Sequence, residues 1–145
     1  MELPPTLLET TTFVLHKVGV AGRRAVAARL AAETGLSLWE FAVLATLADT
    51  GPAAQREVGG RLGADPSDMV RIMDGLLREG LAARERDPAD RRRYRVTLTP
   101  SGRRRLARAR AAVAETERER LAPLSPDERA QLHGLVARLF HGAGG

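Results

Sequence analysis

The chain has 145 residues, no cysteine, one tryptophan and one tyrosine, and its 23 basic and 18 acidic side chains give a formal net charge of +5. This length predicts one domain with a core large enough to fold without disulfides, and the lack of cysteine excludes thiolate metal sites and thiol-based redox sensing. No apolar run is long enough to span a membrane, and residues 1–12 lack the pattern of a signal peptide, so we expect a cytoplasmic protein.

The first third of the chain is predicted to be helical. Apolar residues recur at three- and four-residue spacing between Leu7 and Glu33, which predicts one long helix. Ser37 is followed by Glu40 three residues later, which is the pattern of a capping box and predicts a second helix that runs to about Asp49.

The middle of the chain has a different pattern. We predict a short helix at residues 53–62, a tight turn at 63–65 and a longer helix at 66–79. Two strands are predicted to follow, at residues 81–86 and 94–99. Gly59 and Gly60 lie in the short helix and together cost about 2 kcal/mol of helix propensity. Two more helices are predicted, one capped by Thr99 before Pro100 and one by the capping box that starts at Ser125.

Arginine is concentrated in one stretch. Eleven of the 22 arginines lie between Arg84 and Arg110 among only three acidic residues, so this stretch carries a net charge of +8 and the rest of the chain −3. A GC-rich genome also raises the arginine content, but one basic block on a mildly acidic body predicts a surface that binds a polyanion.

A helix, a turn, a second helix and a two-stranded ribbon are the parts of a winged helix-turn-helix, whose second helix can enter the major groove of DNA. In residues 66–79 one face is apolar and is predicted to be core, while the opposite face contains Ser67, Arg71, Asp74, Gly75 and Arg78. We expect Arg71 to bond a guanine edge and Ser67 to bond a phosphate or a base. The alternative is an ordinary solvated face, which the acidic residues Asp68 and Asp74 favour.

The predicted hairpin tip, residues 87–93, contains the consecutive arginines Arg91, Arg92 and Arg93. These side chains would repel one another without an anion nearby, and guanidinium groups suit a narrow minor groove. Asp90 is placed to hold one of them in a bidentate pair. The alternative is a charged loop that only keeps the chain soluble.

Three short segments carry a family resemblance: Gly80-Leu81, Asp87-Pro88-Ala89-Asp90-Arg91-Arg92 and Leu98-Thr99-Pro100-Ser101-Gly102. They resemble the wing signature of the multiple antibiotic resistance regulator (MarR) family, Asp-x-Arg followed by Leu-Thr-x-x-Gly. With the flanking helices, the resemblance covers nearly the whole chain. It implies a mainly α fold with a small β-hairpin wing. Within a single domain, residues 1–145, it places a winged helix-turn-helix lobe at 53–99 and a helical dimerisation region at 7–33 and 100–141.

The resemblance also implies a function. It indicates a transcription regulator, most simply a repressor, that binds a pseudo-palindrome in double-stranded DNA as a homodimer. Together with the polar helix face, it assigns the DNA contacts to Gln55, Arg56, Ser67, Val70, Arg71, Arg78, Asp90, Arg91, Arg92 and Arg93. The resemblance implies a dimer interface formed by apolar residues, for which packing in the core of a single chain is an equal alternative: Leu7, Val14, Leu132, Leu135, Val136, Leu139 and Phe140.

Many members of this family release DNA when a small aromatic or anionic effector binds. The residues suited to such a pocket are Phe13, His16, Arg23 (with Arg24 as its alternative), Trp39 and Phe41. Each also has an ordinary interpretation, such as a helix staple for Trp39 or a surface histidine for His16.

Other classes of function find less support in the residues. The three histidines lack metal-ligand spacing, and the sequence shows neither a nucleophile–base pair nor a phosphate loop. We therefore expect no metal, no cofactor and no enzyme activity. The alternative function is a basic architectural or RNA-associated protein that binds phosphates without reading sequence.

Overall fold

The computed structural model describes residues 2–144, so Met1 and Gly145, the outermost residues of the predicted domain, lie outside it. Along these residues it contains seven helices and two strands: α1 (Pro5–Leu8), α2 (Thr11–Thr34), α3 (Leu38–Thr50), α4 (Gln55–Leu62), α5 (Pro66–Arg78), β1 (Ala82–Arg86), β2 (Tyr94–Leu98), α6 (Pro100–Arg120) and α7 (Pro126–Gly142). This is the mainly helical fold with a β-hairpin that the sequence predicts. Within residues 2–144 no single helix has the length and apolar composition to cross a membrane; α2 and α3 meet those criteria only together, and they are bent by 78° at their junction.

The predicted helix over residues 7–33 is divided in the structure. Thr10 adopts an extended conformation (φ −89°, ψ 101°), so α1 ends at Leu8 and α2 begins at Thr11. The Thr10 hydroxyl donates to the carbonyl oxygen of Thr6 at 3.0 Å, a local bond that competes with helix continuation. The prediction of one uninterrupted helix is therefore wrong at this point.

Three helix starts predicted from capping residues are confirmed. Ser37 and Ser125 each form a capping box, in which the hydroxyl accepts from the N–H of the residue three positions later and the glutamate there accepts from the serine N–H. The Thr99 hydroxyl accepts from the Gly102 N–H at 2.9 Å, and Pro100 occupies the first position of α6. These local bonds determine where α3, α6 and α7 begin.

The two strands form an antiparallel hairpin in which Ala82 lies opposite Leu98. The prediction that the third helix includes Ala53 is wrong, because Ala53 forms a bridge to this hairpin. Its N–H donates to the Val96 carbonyl at 3.2 Å, and the Val96 N–H donates to the Ala53 carbonyl at 2.8 Å. Helix α4 starts at Gln55, and the bridge just before it holds α4 close to the base of the hairpin.

The core includes side chains from α3, α4, α5 and the hairpin. The apolar face predicted for α5 is confirmed, with Leu77 half-buried beside four buried residues: Met69, Ile72, Met73 and Leu76. Gly59 of α4 lies against this face, since a Cβ there would be 2.9 Å from Met69 Cγ. Glycine at this position therefore permits the close packing of α4 on α5, and the polar side of α5 faces the solvent.

Helix α6 begins against the backbone of the hairpin. A Cβ on Gly102 would overlap the Leu81 carbonyl oxygen and lie 2.8 Å from Leu98 Cδ1, so only glycine fits. The Thr99 hydroxyl donates to the Gly80 carbonyl at 2.6 Å. The first turn of α6 is thus tied to the start of β1.

Further along, α6 packs on α2 and arginines link the two helices. Arg29 of α2 binds Glu119 at 2.7 Å, and Arg105 of α6 donates to the Thr34 carbonyl at 2.8 Å. By contrast, none of the described residues of α7 is buried. Helix α7 therefore exposes its apolar side chains along most of its length.

Candidate DNA-binding surface

The exposed side of α5 begins with an aspartate cap. The Asp65 carboxylate accepts hydrogen bonds from the hydroxyl and the N–H of Ser67, at 2.5 and 2.8 Å. Both donors stabilise the charged form, so the pKa of the Asp65 carboxyl lies below its ordinary value. Ser67, a predicted DNA contact, is therefore exposed at the helix N-terminus with its hydroxyl engaged in the cap.

The next turn of α5 presents two more predicted contacts. Val70 is 50% exposed, and the Arg71 side chain is 78% exposed. Arg71 binds Asp68 at 2.7 Å, so Asp68 holds this arginine in the free chain. An ion pair this exposed contributes little to stability and can open for a stronger partner. Arg78, in the last turn, is also exposed.

An apolar groove of about 490 Å³ separates α4 from α5. The predicted contacts Gln55 and Arg56 line it together with small and apolar residues: Gly59, Gly60, Ala64, Pro66, Met69 and Val70. Arg84 of β1 donates to Gln55 Oε1 at 3.0 Å, and Gln55 also lines the cleft that leads to the hairpin. Gln55 therefore joins the α4–α5 groove to the hairpin.

The hairpin tip, residues 87–93, is organised around Asp90; we call the hairpin with this tip the wing. The Asp90 carboxylate accepts from the N–H and Nε of Arg92 at 3.1 and 3.2 Å and lies 3.8 Å from Arg93 Nε. These bonds from Arg92, with the charge of Arg93, hold the pKa of Asp90 below its ordinary value. The carboxylate is thus shared between two arginines and does not form the expected bidentate pair. Because the Arg92 side chain is 91% exposed, Asp90 orients it without burying it.

Arg86 and Tyr94 are wing residues that the sequence interpretation missed. They are paired across the two strands, and the Arg86 guanidinium lies 4.4 Å from the centroid of the Tyr94 ring. Arg86 also donates to the Arg91 carbonyl at 2.8 Å, which ties the tip to the strands. The predicted strands could have indicated this pair. Arg86 is the last residue of the first strand and Tyr94 is the first residue of the second, so the two face each other across the tip.

The fold divides the arginine-rich stretch into two parts. Arg91, Arg92 and Arg93 are exposed on the wing. Other members of the stretch bind groups of the chain itself: Arg95 binds Glu85, Arg105 and Arg108 donate to the Thr34 and Glu33 carbonyls, and Arg110 binds Asp49. The prediction of one basic surface is therefore too broad, because several arginines of α6 hold that helix against α2 and α3.

The five predicted effector residues are distributed over α2 and α3. At about 100° per residue, Phe13, His16 and Arg23 lie within roughly 80° of one another on α2, whereas Trp39 and Phe41 point to opposite sides of α3. Phe41 packs against the core and Trp39 is 40% exposed. Four grooves of the described chain, with volumes of about 490 to 570 Å³, are lined by other residues.

The predicted dimer residues of α7 form an exposed apolar face. Four of them are exposed, by 39 to 77%: Leu135, Val136, Leu139 and Phe140. Leu132, Leu7 and Val14 are half-buried. A groove of about 530 Å³ lies between this face and the N-terminal part of α2, lined by Thr11 and Leu15 on the α2 side.

Packed helices, a β-hairpin wing, a solvent-facing α5 and a cationic wing tip define a winged helix-turn-helix DNA-binding protein. Comparison with known proteins agrees. A family model described as MarR family matches residues 34–93. A Thauera aromatica protein assigned as a transcriptional regulatory protein for the hcr operon is 31% identical over 128 residues, which cover 88% of this chain and 77% of the relative.

Solved structures are similar over nearly the whole chain. A Pseudomonas aeruginosa crystal structure assigned as a transcriptional regulator is 34% identical with a TM-score of 0.78, covering 92% of this chain and 98% of that one. CouR from Rhodococcus jostii RHA1, solved with p-coumaroyl-CoA bound, is 28% identical with a TM-score of 0.77, covering 94% and 95%. The chain belongs to the MarR family of DNA-binding transcription regulators.

Proposed function

We propose that this chain is a ligand-responsive repressor that binds a pseudo-palindromic operator in double-stranded DNA as a homodimer. The observation that supports this most strongly is the arrangement of residues 53–99, in which the exposed side of α5 and the cationic wing are connected through Gln55. Residues 7–33 and 100–141 form the dimerisation region in this proposal.

Helix α5 reads the major groove. This groove admits an α-helix and displays a different pattern of donors and acceptors for each base pair. Arg71, released from its exposed pair with Asp68, donates to the O6 and N7 atoms of a guanine. Ser67, at the N-terminus of α5, bonds a phosphate or a base, and Arg78 contacts the backbone from the last turn.

The wing and the start of α4 hold the protein on the duplex. Arg92, kept in position by Asp90, enters the narrow and electronegative minor groove, and Arg91 and Arg93 lie beside it. Gln55 and Arg56 in the first turn of α4 contact phosphates. These backbone contacts set the register of α5 but carry no sequence information themselves.

The exposed face of α7 supports the homodimer. Leu139 and Phe140 are 61% and 77% exposed, and Leu8 and Val18 of the N-terminal helices are 56% and 57% exposed. Apolar patches of this kind mark interaction sites, and a helix in a protein gains most of its stability from packing of its apolar face. A second copy covers this face and places two lobes on half-sites about 10 bp apart.

The effector in this proposal is a small aromatic or anionic molecule. Its support is the similarity to CouR, which was solved with p-coumaroyl-CoA bound. Arg23 on the exposed face of α2 provides a cation for such a molecule, and His16 on the same face and Trp39, 40% exposed at the start of α3, provide aromatic rings.

The test is selection of bound fragments from the source genome at about 0.15 M salt, since affinity for DNA depends strongly on salt. Enrichment of one inverted repeat, lost when candidate aromatic acids are added, is the expected result. Uniform recovery of fragments would contradict a sequence-specific regulator and would favour a non-specific architectural protein. Light scattering at micromolar concentration should report twice 15.7 kDa, and a monomer would exclude the two-half-site mechanism.

A further inference from the structure

Two exposed side chains in the N-terminal half of α5 are apolar, Pro66 and Val70. The Ser67 hydroxyl is bonded to Asp65, and the Arg71 guanidinium is paired with Asp68. Between these two residues in sequence, Val70 is 50% exposed and presents apolar surface next to side chains that are already paired. An exposed β-branched residue contributes little to helix propensity. Helix stability therefore does not explain a valine at this position, whereas contact with a binding partner does.

Val70 lies at the edge of the apolar groove between α4 and α5. Gly60, Pro66 and Met69 line the same groove, and a Cβ on Gly60 would find no atom within 4 Å, so the groove is open beside this glycine. At about 490 Å³ the groove is much larger than a methyl group. Arg56 at its edge gives it the positive surroundings that a nucleic-acid backbone requires.

In the major groove the base edges present donors, acceptors and only one apolar group, the C5-methyl of thymine. We infer that Val70 is a specificity-determining residue that reads a thymine, whose C5-methyl enters the groove between α4 and α5. This inference rests on the proposed function, since it requires α5 to lie in the major groove.

Deoxyuridine tests the contact because it differs from thymidine only by this methyl group. Each thymine of the selected operator is replaced in turn by deoxyuridine, and Kd is measured by fluorescence anisotropy for the wild type and for Val70→Ala. Burial of one methyl group corresponds to about fourfold in Kd. We expect one thymine in each half-site at which deoxyuridine weakens the wild type about fourfold and leaves the affinity of Val70→Ala unchanged.

Thr50→Ser is the matched control, because it also shortens an exposed β-branched side chain, keeps the hydroxyl that accepts from Arg61, and lies on α3 outside the DNA-binding lobe and the proposed dimerisation region. Its profile of deoxyuridine effects should match the wild type at every position. If Val70→Ala and the wild type share the same profile, the valine does not read a thymine and the inference is wrong, even though the protein still selects an operator. If no operator is selected at all, the proposed function fails and this inference fails with it.

Discussion

Gly102→Ala should destabilise the fold by about 3 kcal/mol, because the first turn of α6 has no space for a methyl group. The added Cβ would overlap the Leu81 carbonyl oxygen, which is backbone and cannot rotate away, and would lie 2.8 Å from Leu98 Cδ1. Moving α6 outward stretches three hydrogen bonds: Thr99 N–H to Leu81 O at 3.2 Å, Thr99 hydroxyl to Gly80 O at 2.6 Å, and Gly102 N–H to Thr99 Oγ1 at 2.9 Å.

The magnitude follows from these contacts. At about 1 kcal/mol for each hydrogen bond, the three losses amount to about 3 kcal/mol. Displacement of Leu98 adds a packing cost of about 1 kcal/mol, and the higher helix propensity of alanine offsets about 1 kcal/mol. The net loss corresponds to a Tm lowered by roughly 6–12 °C for a domain of this size.

Thermal unfolding followed by circular dichroism measures this shift. The protomer concentration must be held constant, because the Tm of an oligomer depends on it. Gly60→Ala is the control, since a Cβ on this helical glycine meets nothing within 4 Å. A Gly102→Ala protein whose Tm stays within about 2 °C of the wild type would refute the steric argument.

Three further predictions follow from the same structure. Gly60→Ala should raise the free energy of unfolding by about 1 kcal/mol in urea titrations, whereas Gly59→Ala should not, because its Cβ would lie 2.9 Å from a side chain of α5; equal gains would contradict this packing. Arg92→Ala should weaken operator binding and lower the slope of log K against log salt by about one unit, while Arg120→Ala at the far end of α6 should leave the slope unchanged. An unchanged slope for Arg92→Ala would show that Arg92 does not contact DNA. Leu139→Asp should convert the dimer to a folded monomer in light scattering, and a variant that stays dimeric would place the interface elsewhere.

Local chemistry made several elements predictable. Capping bonds join residues only three positions apart, so Ser37, Thr99 and Ser125 identify the starts of three helices without any knowledge of the fold. The periodicity of α5 separates Met69 and its buried neighbours from the exposed side for the same reason, since one helix determines both faces. The position of Asp90 two residues before Arg92 likewise predicts their contact, because the bond spans a single turn.

Local patterns were insufficient where a side chain or a backbone group has an alternative partner. The apolar spacing around Thr10 is compatible with a continuous helix, but its hydroxyl bonds the Thr6 carbonyl and α1 ends. Ala53 has a sequence context suited to a helix, yet its backbone pairs with Val96 of β2, which is distant in the sequence. A prediction from neighbouring residues contains no information on such a distant partner.

Which of several similar residues supports the fold and which faces DNA depends on packing between distant segments. Arg92 and Arg105 belong to the same basic stretch, but α6 brings Arg105 to the carbonyl of Thr34, 71 positions earlier, while the hairpin carries Arg92 away from the body of the protein. Adjacent glycines differ in the same way, because only Gly59 lies against α5. Arg92 and Arg105 are the same residue type in the same basic stretch, and Gly59 and Gly60 are the same residue type in the same helix. Only the three-dimensional arrangement of α2, α4, α5 and α6 therefore distinguishes their roles.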